Sequence, residues 1–263
     1  MRRLAVGVEY DGGPYSGWQV QAAVPSVQAL LEAALSRIAD HPVETTCAGR
    51  TDAGVHARAQ VAHFDTEAVR TGHAWLLGAN HYLPSDISLR WVRPVPDHFH
   101  ARYSARWRSY RYLILNRSAR SALAAGRALL VHEPLEVAPM QQAGTYLLGE
   151  HDFSAFRSSE CQSHSAVREL QSVAVERQGD WVHIGVTANA FLHHMVRNIV
   201  GLLLAIGTGR ATPERAREQI ESRQRSRGEA TAPAHGLYLW GVDYPPEFGL
   251  PADSAIMEPH VVV

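Results

Sequence analysis

One acid, Asp52, stands between two arginines and two glycines, just ahead of an alternating apolar stretch. An opposite charge within about 4 to 6 Å favours the ionised form of an acid, so Arg50 and Arg58 predict an anion at neutral pH. Gly49 and Gly54 allow a sharp turn and leave room for a bulky partner. These residues predict a reactive carboxylate on a loop. A surface turn closed by an ion pair remains the alternative reading.

The basic residues are uniform in kind and uneven in distribution. All 25 are arginine, because the chain contains no lysine, and the formal net charge is −1. Lysine Schiff-base chemistry and a P-loop lysine are therefore excluded. Residues 90–120 hold a single acid, Asp97, among eight arginines and six aromatics: Arg90, Arg93, Arg102, Arg106, Arg108, Arg111, Arg117 and Arg120, with Trp91, Phe99, Tyr103, Trp107, Tyr110 and Tyr112.

This composition suits RNA, because guanidinium groups bind phosphates and aromatic faces stack on splayed bases. A solvated arginine face over a strand whose aromatics are buried is the alternative.

Length and composition describe a globular chain of one large or two modest domains. The chain has 263 residues, of which 46% are hydrophobic and 19% charged. The two cysteines, Cys47 and Cys161, lack Cys-x-x-Cys spacing, which argues against a thiolate zinc site or a disulfide framework. The charged, interrupted start does not resemble a signal peptide, and the longest apolar segment contains histidines and an arginine. We therefore expect a cytoplasmic protein without a membrane span.

The apolar periodicity predicts an α+β fold with a ferredoxin-like first half and a second half that repeats this order loosely. The first half has the order βαββαβ, with Ser26 as a helix N-cap, strands at 4–10, 43–47, 59–64 and 87–93, and helices at 26–40 and 73–82. The second half has strands at 106–115, 170–177, 181–188 and 236–244, and helices at 138–148, 191–206 and 213–222.

These elements predict a mostly antiparallel sheet with helices packed on it and a central cleft. The expected divisions are a half at 1–105 carrying the aspartate loop, a half at 106–248, and an irregular tail at 249–263. Residues 222–235 are rich in Arg, Gln, Ser and Gly and predict a mobile loop.

The long apolar helix carries the second group of candidate residues. Arg197 must pair with a carboxylate or face a cleft, because an unpaired buried charge is costly. His193 and His194 point to different helix sides and lack a histidine or acid at i+4, so we expect a structural role and no metal. Nucleotide-cofactor motifs and a G-x-S-x-G elbow are absent.

The segment at 48–57 resembles the signature of the TruA family of tRNA pseudouridine synthases. Six further segments resemble that family in the same order along nearly the whole chain: Tyr10-Asp11-Gly12 with Tyr15-Ser16-Gly17-Trp18-Gln19, and residues 99–102, 110–112, 152–157, 191–201 and 236–239. The resemblance implies the pseudouridine synthase fold, a homodimer, a tRNA substrate, and neither cofactor nor metal.

The resemblance also implies roles for individual residues. Asp52 would be the catalytic aspartate, and Tyr110 would pack on the target uracil. Arg197 would form a salt bridge with Asp52, and Arg50 would help to evict the uridine from its stem. We add Arg58 and Arg108 to the substrate-binding residues; Arg108 occupies a position where the family often has lysine.

The implied activity is isomerisation of uridine to pseudouridine at positions 38–40 of the anticodon stem-loop. Asp52 would attack the ribose C1′ or take the C2′ proton, and the sequence leaves both routes open. A non-catalytic RNA-binding module is one rival hypothesis. A hydrolase that passes the sugar to water is another.

Overall fold

The computed structural model describes residues 1–251, apart from the side chain of Arg227. The chain divides into two compact units. Of the described residues, the first unit contains 1–108 and 238–251, and the second contains 109–237. Among the described helices, none combines the length and the apolar character that crossing a bilayer would require.

The first unit has the strand order of a ferredoxin-like sheet. β1 (Arg2–Tyr10) lies between β3 (His56–Thr66) and β4 (Ile87–Val95), and β2 (Thr46–Cys47) pairs with β3. All of these pairings are antiparallel. Helices α1 (Val27–Ala39) and α2 (Gly72–Tyr82) connect the strands in the predicted order. Ser26 caps α1 as predicted, accepting a hydrogen bond from the Ala29 amide.

Both faces of this sheet are covered, which explains why β1 is buried along most of its length. On one face Phe64 of β3 meets Trp75 of α2 edge-on, with ring centroids 5.2 Å apart. On the other face Ala48 and Val61 pack in a buried cluster with Phe99, which follows β4. Ala48 is the first residue of the loop that joins β2 to β3 and contains Asp52, which we call the aspartate loop. The start of this loop is therefore buried in the core.

The second unit contains the neighbouring strands β5 (Trp107–Asn116), β9 (Trp181–Ala188), β8 (Val167–Gln178) and β7 (Gly149–Asp152), with β6 (Leu129–Val131) beside β5. β7–β8 and β8–β9 are antiparallel, and β5–β6 is parallel. The helices are α3 (Val137–Thr145), α4 (Met195–Gly207) and α5 (Arg215–Ser222). Gln141 of α3 exchanges two hydrogen bonds with the backbone of β8. The predicted α+β, mostly antiparallel architecture is confirmed.

The closing strand β10 (Leu237–Asp243) lies almost wholly in the first unit, whereas the sequence placed it in the second half, at 106–248. It pairs in parallel with β3, where Tyr238 and Leu239 face His56 and Ala57. This pairing joins residues about 180 positions apart, so local periodicity cannot reveal it. Residues 252–263 of the predicted tail lie outside the described residues.

Two segments of the second unit differ from the predictions made from the sequence. Helix α4 begins at Met195, four residues later than predicted, because His194 has φ of 62° and the left-handed conformation ends the preceding loop. The segment predicted as a mobile loop, 222–235, is bound to other parts of the unit. Ala232 N donates to Arg197 O, and the Tyr112 hydroxyl donates to Pro233 O at 2.8 Å.

Candidate active-site loop and its surroundings

Residues 48–55 form the loop between β2 and β3, and its centre is held by buried contacts. Trp18 N donates to Thr51 O at 3.0 Å, and the Tyr10 hydroxyl lies 2.8 Å from Thr51 Oγ1. Thr51 is buried, while the adjacent Asp52 is partly exposed. The backbone beside the carboxylate is therefore fixed and the carboxylate itself is accessible.

The start of the loop is fixed to β3. The fully buried Gln60 side chain donates to Gly49 O at 2.7 Å, and Ala48 N donates to Val61 O at 2.7 Å. Burial also raises the pKa of the neighbouring Cys47 thiol to about 12. Cys47 is thus a neutral packing residue beneath the loop at neutral pH.

A close backbone approach requires glycine at position 17. Gly17 has φ of +94°, and a Cβ there would lie 2.6 Å from Thr51 O and 3.1 Å from Asp52 C. Side chains other than hydrogen would push the loop away. Gly17 belongs to a segment that the sequence marked as family-like but to which it gave no role.

Arg108, which the sequence predicts to bind substrate, contacts the loop backbone. Its guanidinium is buried and donates to Ala48 O from Nε and Nη2, at 3.1 and 3.0 Å. It also donates to the carbonyls of Ala105 and Arg102. A planar fork can satisfy several carbonyls at once, so these contacts favour a role in holding the loop.

Replacing Arg108 should therefore lower kcat more than it raises KM. Arg108→Gln leaves buried carbonyls unpaired, each costing about 1–3 kcal/mol, and we expect kcat to fall roughly 10-fold or more as the loop loosens. Arg108→Lys should recover part of this loss because it restores a charged donor. Steady-state kinetics with tRNA, the substrate that the sequence resemblance implies, separates the two parameters.

Arg106→Gln is the matched control, since Arg106 is exposed and pairs with Asp243 at the surface. It should change kcat by less than about 2-fold. An increase of KM with unchanged kcat in Arg108→Gln would instead support the predicted substrate contact.

Arg50 and Arg58, the other predicted substrate-binding arginines in the first unit, differ in their surroundings. Arg50 is exposed. Arg58 is half-buried, and its guanidinium lies over the Trp240 ring of β10, 4.6 Å from the centroid. Arg90 donates to Arg58 O at 3.2 Å. The guanidinium of Arg90, which belongs to β4, thus lies beside Arg58 on the strand after the loop.

His56 is a buried residue next to the loop that sequence reasoning missed. Its Nδ1 lies 3.0 Å from Gly12 N and 3.1 Å from Asp11 Oδ1, and its ring stacks on Tyr238 at 4.6 Å. These contacts connect two of the family-like segments, 10–12 and 236–239, to the end of the loop. The sequence did contain a signal that could have identified His56, namely its position between the loop and the alternating apolar strand.

Tyr110 lies on β5 in the second unit. It is 9% exposed, and its ring meets Phe191 edge-on with centroids 5.0 Å apart at 84°. Ser109 and Thr187 hydroxyls bond at 2.9 Å, which ties β5 to β9 beside it. The Tyr110 ring is therefore held in a fixed orientation by an aromatic neighbour.

Arg197 lies in the first turn of α4 and contacts the segment that follows α5. Its Nε donates to Ala232 O at 2.8 Å. Burial raises the pKa of the Tyr112 phenol, and the positive charge of Arg197 partly opposes that rise. His193 and His194 precede α4, and the centroids of their rings lie 4.0 Å apart.

The comparisons with known proteins agree with this arrangement. The model of a family described as tRNA pseudouridine synthase matches residues 7–104 and 143–245. The chain is 54% identical over 252 residues to the tRNA pseudouridine synthase A of Methylococcus capsulatus, covering 96% of this chain and 93% of that protein.

Two further relatives carry the same name. The protein of Nitrosococcus oceani is 53% identical, covering 95% of this chain and 96% of its own, and that of Vibrio cholerae is 54% identical, covering 95% and 94%. A chain in the solved structure of a Cbf5-Nop10-Gar1 complex is 14% identical with a TM-score of 0.32, covering 76% of this chain and 45% of its own. That last likeness is too small to support an argument.

This chain belongs to the tRNA pseudouridine synthase family. It is an isomerase that converts uridine to pseudouridine in tRNA. The resemblance found in the sequence is confirmed, and the alternative of a non-catalytic RNA-binding module is not favoured.

Proposed function

We propose that Asp52 is the catalytic carboxylate and that the enzyme modifies uridines at positions 38–40 of the anticodon stem-loop. The observation that carries the proposal is the construction of the loop: a partly exposed acid adjoins a buried, hydrogen-bonded threonine, and the loop is fixed at its start and centre. A reacting group held in this way needs little reorganisation before it acts.

The target base must leave the helical stack before a carboxylate can reach its sugar, at a cost of a few kcal/mol. Tyr110 stacks on the extruded uracil and returns about 1 to 3 kcal/mol. Its edge contact with Phe191 supports the proposal because it orients the ring before the base arrives.

Asp52 then acts on the ribose by one of two routes. It attacks C1′ and forms an ester as the C1′–N1 bond breaks, or it takes the C2′ proton and a glycal forms as the same bond breaks. In both routes the bonding electrons leave with the uracil. The uracil turns, C5 bonds to C1′, Asp52 is regenerated, and loss of the C5 proton gives pseudouridine.

The arginines take supporting roles in this scheme. Arg50 is exposed and helps to displace the uridine from its stem. Arg197 is the proposed ion-pair partner of Asp52, and Arg58 contributes positive charge towards the RNA backbone. Because phosphate contacts release counterions, tRNA affinity should fall as salt concentration rises.

We further propose a cytoplasmic homodimer that needs no cofactor or metal. The resemblance implies the dimer and the absence of a cofactor or metal, and the absence of lysine excludes a cofactor held as a lysine Schiff base. Light scattering of the purified chain should give a mass twice 29.0 kDa. A mass of one chain at micromolar concentration would contradict the dimer.

Product mapping on a pool of unmodified tRNA tests the choice of target. After incubation with the purified enzyme, we expect pseudouridine at positions 38, 39 and 40 wherever uridine occurs there. Chemical labelling of pseudouridine followed by reverse transcription locates the product. Pseudouridine confined to other positions would contradict the target assignment while leaving the activity intact.

A further inference from the structure

A groove of about 800 Å³ lies within the second unit, outside the residues assigned to the reacting base. Its walls are residues 154–159, the beginning of α4, and residues 225–231. The volume lies within the range of sites that hold nucleotide-sized ligands, about 300–1,000 Å³. The groove is open along one side, which suits an extended strand.

The charge of the groove is positive. Arg157 and Arg225 line it together with His194, and Glu229 is the one carboxylate among the described lining residues. Several hydroxyls share the lining, from Ser154, Ser158, Ser159, Ser226 and Thr231. Guanidinium groups and hydroxyls are the donors that contact phosphate and sugar oxygens in protein–nucleic acid complexes.

A buried amide fixes one of the two guanidinium groups. Asn198 is 1% exposed, and its Oδ1 accepts from Arg225 Nη2 at 3.0 Å and from Thr231 Oγ1 at 2.6 Å. Its Nδ2 donates to Phe156 O at 2.7 Å. Arg225 is therefore placed before a ligand arrives, which reduces the entropy lost on binding.

The second guanidinium group is oriented from the opposite wall. Arg157 Nη2 donates to Cys161 O at 2.6 Å. Helix α4 also packs closely against the segment at 225–231, because a Cβ at Gly201 of α4 would lie 2.0 Å from Ala230 O. Both walls are thus joined to the same helix and carry oriented cations.

We propose that this groove binds the sugar–phosphate backbone of the tRNA substrate. The proposal rests on the proposed function, since it assigns a second contact to the same RNA. A polyanionic strand fits better than a small anion because the two cations belong to separate chain segments that line an open groove together with several hydroxyls.

Adding negative charge to the groove tests the proposal. The substitutions leave in place the hydrogen bonds that hold the groove walls. Ser159 and Ser226 are exposed lining residues, so the double variant S159E/S226E should retain the fold. We expect its Kd for tRNA to rise about 10-fold. Filter binding measures this Kd.

Q171E/S172E is the matched control, because it adds the same charge at two exposed positions of β8 in the same unit. It should bind tRNA within about 2-fold of the wild type. Glu229→Gln should act in the opposite sense and lower Kd a few-fold.

The groove proposal is overturned if S159E/S226E and its control bind tRNA equally while the wild type still forms pseudouridine. Failure of the proposed function would look different, since the wild-type enzyme would then form no pseudouridine at positions 38–40. Thermal unfolding of both double variants confirms that the comparison concerns folded protein.

Discussion

Asp52→Asn is expected to reduce tritium release from C5-tritiated tRNA by about 10⁴-fold or more. Asparagine has nearly the same shape as aspartate, but its amide is neither an effective nucleophile at C1′ nor a base for the C2′ proton. The buried contacts of the loop pass through Thr51 and Gly49, so they survive the substitution. Initial rates with excess enzyme measure the residual activity.

Two controls separate chemistry from folding and binding in this experiment. Asp97→Asn removes a carboxylate from an exposed position of the same unit and should leave the rate within about 2-fold of the wild type. Asp52→Asn itself should keep tRNA binding and the thermal midpoint close to wild-type values. Tritium release at the wild-type rate would remove Asp52 from the mechanism.

Gly17→Ala is expected to lower kcat/KM about 100-fold although residue 17 carries no reactive group. The new methyl would meet Thr51 O at 2.6 Å, and φ of +94° is strained for alanine. The atom in its way is backbone, so the aspartate loop must shift. A displacement of about 1 Å at a reacting group can cost about 10²-fold in rate.

Gly13→Ala provides the matched control for this prediction. A Cβ at Gly13 would meet only the Asp11 side chain, at 3.1 Å, and a side chain can move aside. We expect Gly13→Ala to keep kcat/KM within about 3-fold of the wild type. Equal losses in the two variants would show that the Gly17 contact does not control the carboxylate.

Local patterns were sufficient for much of the fold and for the choice of Asp52 as the proposed catalytic residue. Helices α1 and α2 follow from apolar spacing, and Ser26 marks the start of α1 as an N-cap. The hairpin of β8 and β9 follows from alternating strands around Gly179. Asp52 was recognisable because its neighbours in sequence form the family signature.

Features that depend on distant pairing were not available from local patterns. β10 joins β3 through Tyr238 and His56, and Arg108 reaches Ala48 across 60 positions. Arg108 was included among the predicted substrate contacts, at a position where the family often has lysine. Only the fold reveals that its guanidinium is buried among backbone carbonyls.

Residues 222–235, which begin at the last residue of α5, show why a mobile loop cannot be predicted from amino-acid composition alone. Arg, Ser and Gly are typical of flexible loops, yet Arg225 and Thr231 bond to the buried amide of Asn198. The buried partner lies on another helix. Polar composition predicts a loop correctly but says nothing about the side chains that will hold it.

A structure of the Asp52→Asn enzyme with bound tRNA tests the central claim most directly, since an inactive variant keeps its substrate intact. We predict a uridine extruded from the anticodon stem, with the position-52 side chain in contact with the ribose at C1′ or C2′. The Tyr110 ring should lie against the uracil. A target uridine that stays stacked in its stem, or a position-52 side chain remote from the sugar, would contradict the assignment.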